Sequence, residues 1–152
     1  MRPMHVLLVA SLAMPATSPA WAEGPSCKSV EYSEAVVEAL PDVRELCLRV
    51  EEREGKKFAV VQAEVSRVHR KNALEVRFKR PDGSKSSSRF FETAPDRRVL
   101  VEGKPTRVQD LGVGQEITAY IHVQKPMIAT EPATKGDPLD LVPISTELPE
   151  LP

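Results

Sequence analysis

Between Phe58 and Ile121 apolar side chains recur at every second position in several short runs, and this period of two limits the chain more than any other feature. Val61, Ala63 and Val65 alternate with Gln62, Glu64 and Ser66; Leu74, Val76 and Phe78 alternate with Glu75, Arg77 and Lys79; Ile117, Ala119 and Ile121 alternate with Thr118, Tyr120 and His122. Successive side chains of a strand point to opposite faces, so each run predicts a strand with one apolar and one wet face. Turn chemistry separates the runs. Arg70-Lys71-Asn72 joins the first two as a hairpin, with Asn72 able to take a positive φ. Pro81-Asp82-Gly83-Ser84 is a tight turn leading to a third strand near Ser86 to Glu92, with Phe90 or Phe91 turned inward. Val99 to Val101 resumes an extended pattern, Glu102-Gly103-Lys104-Pro105 reverses the chain, and Val108 to Leu111 predicts a short helical turn. Five or six short strands spaced in this way predict a mainly β fold, a small barrel of the OB or SH3 kind over residues 55–125.

The same positions carry a resemblance. Val61 to Val65, Pro81-Asp82-Gly83, Val99-Leu100-Val101-Glu102-Gly103-Lys104, Val108-Gln109-Asp110-Leu111-Gly112-Val113-Gly114 and Ile117 to Ile121 follow in the order of an opening strand, a turn, a strand ending in a second turn, and a Leu-x-x-Gly lead into a last strand. In this the stretch from Phe58 to Ile121 resembles a small β-barrel domain family of unknown function found in exported bacterial proteins. Glu102 stands where that family usually has aspartate. The matching residues are turn and core positions, so the resemblance implies a fold and carries no activity with it.

The ends of the chain read differently. Arg2, the apolar run Val6 to Met14 and the small-residue box Ala20-Trp21-Ala22 predict a cleavable export signal over residues 1–22, with a mature protein beginning near Glu23 in the periplasm or outside the cell. The apolar run is shorter than the roughly 20 residues a membrane-spanning helix needs, so no transmembrane segment is expected. Cys27 and Cys47 are the only two cysteines, and an oxidising compartment favours a disulfide between them; two buried thiols are the alternative. Residues 23–54 predict a helical arm and connection: an amphipathic helix over Ser29 to Ala39, a second turn after Asp42, then a solvated charged link at Glu51-Glu52-Arg53-Glu54-Gly55. Prolines at 126, 132, 138, 143, 149 and 152 predict a flexible acidic tail over residues 126–152, disordered in part, although Leu139, Leu141, Val142 and Ile144 give it the means to dock.

The formal net charge of −1 conceals a basic middle between acidic ends. Arg67, Arg70, Lys71, Arg77, Lys79, Arg80, Lys85 and Arg89 fall on the first three predicted strands and their turns, and they form a candidate binding face for an envelope protein or an anionic envelope polymer. The acidic ends pairing with this middle is the competing reading. Nucleic acid is a poor fit, because aromatic stacking platforms are scarce and Tyr120 is the clearest exposed candidate. The ligand supply for a metal site is thin: His69 and His122 read as exposed strand-edge residues, and Met127 is the sole methionine after the signal. No cofactor motif is present. A hydrolase would have to draw on the serines of Ser84 to Ser88, which more simply solvate a turn. The sequence therefore points to an exported, non-enzymatic binding or scaffolding module, with a purely structural role as the alternative.

Overall fold

The computed structural model describes residues 26–70, 72–134 and 136–145; residues 1–25 (the predicted export signal among them), Lys71, Lys135 and the last seven residues lie outside them. Two short helices come first, α1 (Glu34–Ala39) and α2 (Val43–Leu46). The first begins later than Ser29: Ser33 is its N-cap, accepting the Val36 amide at 3.4 Å and donating its own hydroxyl to the Gln124 carbonyl at 2.9 Å. Leu40 closes it before Pro41, where the pyrrolidine ring would block a further turn. Val36, Leu40, Val43 and Leu46 are all buried in the main core, so these helices cover one side of the sheet. Cys27 and Cys47 are disulfide-bonded, with Cα atoms 5.8 Å apart, which ties the start of the described chain to the end of α2.

Among the described residues nine strands follow: β1 (Arg49–Arg53), β2 (Lys56–His69), β3 (Ala73–Lys79), β4 (Lys85–Glu92), β5 (Arg98–Val101), β6 (Lys104–Arg107), β7 (Glu116–His122), β8 (Met127–Thr130) and β9 (Val142–Pro143). A 3₁₀ turn at Val108–Asp110 fills the predicted helical position. Seven strands form one antiparallel sheet in the order β4-β3-β2-β7-β8-β9, with β1 paired to the first half of β2, and the sheet curls into a half-barrel. The hairpin β5-β6 stands apart as a second small sheet. The inner face collects Val61, Ala63, Val65, Leu74, Val76, Phe78, Ile117, Ala119 and Ile121, the residues singled out by alternation, together with Ala59, and of the two neighbouring phenylalanines it is Phe91 that turns inward.

The hairpin β2-β3 turns at Asn72, whose φ is 59°, and the turn after β3 has Gly83 at φ 88° with the Ser84 amide bonded to the Asp82 carboxylate at 2.8 Å. Two bulges interrupt the ladders of β3. One falls between Val65 and Arg67 of β2, the other between Arg77 and Lys79 of β3. A serine heals each: Ser66 donates to the Glu75 carbonyl at 3.0 Å, and Ser86 accepts the buried Phe78 amide at 3.0 Å. A backbone group left unpaired there would cost about 1–3 kcal/mol.

Two expectations change. The charged link around Glu51 to Gly55 is a β-hairpin, because Glu54 and Gly55 both take positive φ (51° and 72°) and let β1 fold back onto β2. The strands also run past residue 125. β8 pairs with β7, β9 pairs with β8, and Ser145 exchanges two backbone hydrogen bonds with Phe90 of β4 at 2.9 and 3.1 Å. Met127–Thr130 and Val142–Pro143 thus belong to the sheet, with Pro132 and Ser145 bridged to strands, instead of to a free tail. The prolines do not prevent it, since Pro143 sits in a strand of two residues where the missing N–H matters little.

Candidate binding surface

The outer face of the sheet changes character along β2. Near its start, Phe58 and Val60 of β2 and Tyr120 of β7 form an apolar cluster that is at most 2% exposed. Apolar residues on the outward face of a curled sheet need a cover, and Leu139 and Leu141 supply it. Arg53 adds a lid: its guanidinium lies 4.6 Å from the centre of the Tyr120 ring and donates to the Tyr120 hydroxyl at 3.2 Å. Burial, followed by the charges of Glu51 and Glu131, raises the Tyr120 pKa. Tyr120 is therefore a covered residue and not the exposed aromatic that the alternation suggests, because the segment that covers it comes from beyond the alternating runs. A cleft of about 410 Å³ remains at the edge of this cover, between the β1-β2 turn and the chain around Leu139, with Lys56 and Arg53 on its wall.

Next to the cluster, His122 is 6% exposed, its ring edge-on to Phe58 at 5.4 Å. Its Nδ1 accepts the Gln124 amide at 3.0 Å, and burial together with Lys125 and Lys56 lowers its pKa. At the far end of β2, His69 packs edge-on to Phe90 at 5.5 Å and meets the Glu75 carboxylate at 3.3 Å. Neither imidazole is the exposed strand-edge group that sequence reading suggests; one is buried beside Phe58 and the other packs against an outward phenylalanine.

Past Val60 the outer face becomes charged. Glu64 of β2 has Arg77 of β3 on one side and Glu116 of β7 on the other. Lys79 pairs with Glu116, and Lys85 reaches Glu64 at 2.8 Å. The hydrogen bond from Lys85 is the main reason the Glu64 carboxyl titrates below its ordinary range. Arg80 leaves the face altogether. It clasps Asp42 at 2.6 Å and Glu45 at 3.1 Å, joining the β3-β4 turn to α2.

The eight candidate cations are thereby divided. Lys79, Arg80 and Lys85 hold carboxylates of this chain, with those of Arg80 coming from the acidic N-terminal part. Arg97 similarly meets Asp140 at 3.9 Å, so the acidic ends do pair with the basic middle at two points. Arg89 is the register partner of Val76 and shares its inward face, half-buried, with Nε unpartnered among the described residues. Arg77 is exposed on the outer face with Ser88 at 3.4 Å. Arg67 and Arg70, at the β2-β3 end, are exposed and form no ion pair among the described residues. Lys71 lies between them and Asn72, outside the described residues.

The serines of the 84–88 stretch are engaged structurally. Ser84 bonds Asp82, Ser86 closes the bulge, Ser87 receives Arg89 and Ser88 receives Arg77. The described residues contain no cluster of three or more metal-ligating side chains, and no described helix is long and apolar enough to cross a membrane. No family model, curated protein or solved structure matches this chain.

Proposed function

We propose that the chain is an exported, non-enzymatic module of the small β-barrel kind, binding or scaffolding in the cell envelope through the cationic end of the β2-β3 hairpin. The observation that carries this reading is that Arg67 and Arg70 are exposed and form no ion pair among the described residues, whereas Lys79, Arg80 and Lys85 each hold a carboxylate. Exposed arginines without internal partners attract anions at range and offer planar donors to carboxylate or phosphate. Arg77 extends the group along the outer face, while Lys79, Arg80 and Lys85 serve the fold. The disulfide is what an oxidising compartment permits, which supports export. The serine contacts support the non-enzymatic side, because each hydroxyl has a structural partner.

The test is retention of the mature protein on an anionic envelope polymer at rising salt. Binding that weakens with ionic strength and is lost in Arg67→Glu/Arg70→Glu, with Lys85→Ala behaving as the parent, supports the reading. Binding indifferent to salt and to both arginines contradicts it.

A further inference from the structure

Residues 122–124, where β7 ends, carry polar bonds that attach the start of α1 to the sheet. The Ser33 amide donates to the Val123 carbonyl at 2.9 Å and the Ser33 hydroxyl to the Gln124 carbonyl at 2.9 Å, while Gln124 Nε2 donates to the Glu31 carbonyl at 3.3 Å. On the other side the Val123 amide donates to the Lys57 carbonyl of β2 at 3.2 Å. Ser33 is also the N-cap of α1, so one residue sets both where the helix begins and how it is attached.

The conformation of this turn rests on His122. The Gln124 amide donates to His122 Nδ1 at 3.0 Å, and an N–H can donate only to a ring nitrogen that has its lone pair free. The imidazole is therefore neutral, with its proton on Nε2; a flipped ring would set a C–H against the amide and strand it. Burial is the first cause holding the ring neutral to below the ordinary histidine range, and the charges that act on it are Lys125 beyond β7 and Lys56 of β2, both of the sign that opposes a proton. A second proton has only Nδ1 to occupy. There it points at the Gln124 N–H, so the ring must turn away and Gln124 loses the bond that positions it.

We propose that His122 is a proton-operated clasp: a proton on its Nδ1 breaks the bond to Gln124, residues 122–124 release Ser33 and Glu31, and the start of α1 loosens while the sheet stays folded. Val36 and Leu40, buried in the core, and the Cys27–Cys47 disulfide hold the rest of the arm by contacts that do not titrate. The release is therefore local and reverses when the pH rises. Arg67 and Arg70, at the other end of β2, play no part in it.

Amide hydrogen exchange of the disulfide-bonded protein between about pH 7 and about pH 5, expressed as protection so that the intrinsic rate drops out, tests the clasp. The Ser33, Val36 and Val37 amides, which bond to Val123 and within the first turn of α1, should lose protection by up to about tenfold per pH unit, the limit for one linked proton. That loss should be insensitive to low urea, as for an opening that leaves the sheet folded, and the Phe78 amide should stay the better protected throughout. In His122→Asn, which keeps an acceptor and cannot take up the proton, the pH dependence at α1 should disappear. The independent variant Lys56→Ala/Lys125→Ala, changed only at exposed positions, should move the loss of protection to higher pH. Protection at the start of α1 that ignores pH, that falls equally in His122→Asn, that merely follows Phe78, or that is unmoved by the lysine variant would overturn the proposal.

Discussion

The two halves of β2 face the same solvent side of the same strand and solve that exposure in opposite ways. From Phe58 to Val60 the outward positions are apolar and are covered by Leu139, Leu141 and Arg53; further along, Glu64 is half-buried and pairs with Lys85, and Arg67 is exposed with no ion pair among the described residues. The first half gains hydrophobic burial and depends on a distant segment to keep it. The second half is independent of any cover and contributes little stability, since exposed ion pairs are worth at most about 1 kcal/mol. Stability and surface chemistry are thus separated along one strand, with the fold secured at one end and a free cationic group presented at the other.

The strongest challenge to this contrast is Tyr120→Ala, which should cost about 3–5 kcal/mol in urea unfolding, as for other buried aromatics, although the tyrosine lies on the outward face. An outward position in the charged half, Arg67→Ala, should move the midpoint by less than about 0.5 kcal/mol. Opening the disulfide with Cys27→Ser/Cys47→Ser should cost about 3 kcal/mol, given the 20-residue separation, and should leave the sheet's circular-dichroism signal in place. Ser86→Ala should cost about 1–2 kcal/mol by stranding the Phe78 amide, while Ser87→Ala should be neutral; equal effects would remove the role assigned to the bulge.

Protonation sharpens the same comparison. The folded pKa of His122 is lowered, so the unfolded chain takes up a proton first and stability falls as pH drops below the ordinary histidine range, until the folded state also protonates. His122→Asn, which keeps an acceptor for the Gln124 amide, should flatten that part of the stability profile. Glu64 is lowered as well, so its pairing contributes above the ordinary carboxylate range and disappears as pH falls through the depressed value. Because the Glu64 pair lies at the surface, with Lys85 exposed and Glu64 only half-buried, Glu64→Gln should give the smallest effect of the set, one that vanishes at high salt.

The inner face was readable from the chain alone. Strict alternation selects Val61 to Val65, Leu74 to Phe78 and Ile117 to Ile121, and the structure buries each of them. The turns at Asn72, Gly83 and Gly103 were equally legible, since positive φ has a short list of tolerant residues. The Glu54-Gly55 turn was hidden by its charge: four charged residues in a row read as a solvated link, yet Glu51 and Arg53 are strand positions facing water and Tyr120. The C-terminal segment was hidden by its prolines. Proline density argues against continuous strands, whereas here β8 and β9 are four and two residues long and the closure is made by side chains as much as by backbone.

The candidate surface was legible in its residues but not in its grouping. Alternation places Arg77 and Lys79 opposite Val76 and Phe78, as the structure has them, but it cannot reveal which carboxylates the neighbouring strands bring alongside. Glu116 is 37 residues from Lys79 and meets it only because β7 lies next to β2. Asp42 lies 38 residues before Arg80, and only the packing of α2 against the β3-β4 turn joins them. The burial of Tyr120 is illegible for the same reason, its cover lying outside every run that has a period of two.

The central claim is that the outward apolar half of β2 is held by the segment that covers it, and urea unfolding of Leu139→Ser/Leu141→Ser beside Arg67→Ser/Arg70→Ser tests it most directly. The leucine variant should lose about 2–3 kcal/mol and begin to bind an apolar dye in its native state, with the arginine variant superimposing on the parent. Superimposable curves for both variants, with no dye binding, would contradict the account.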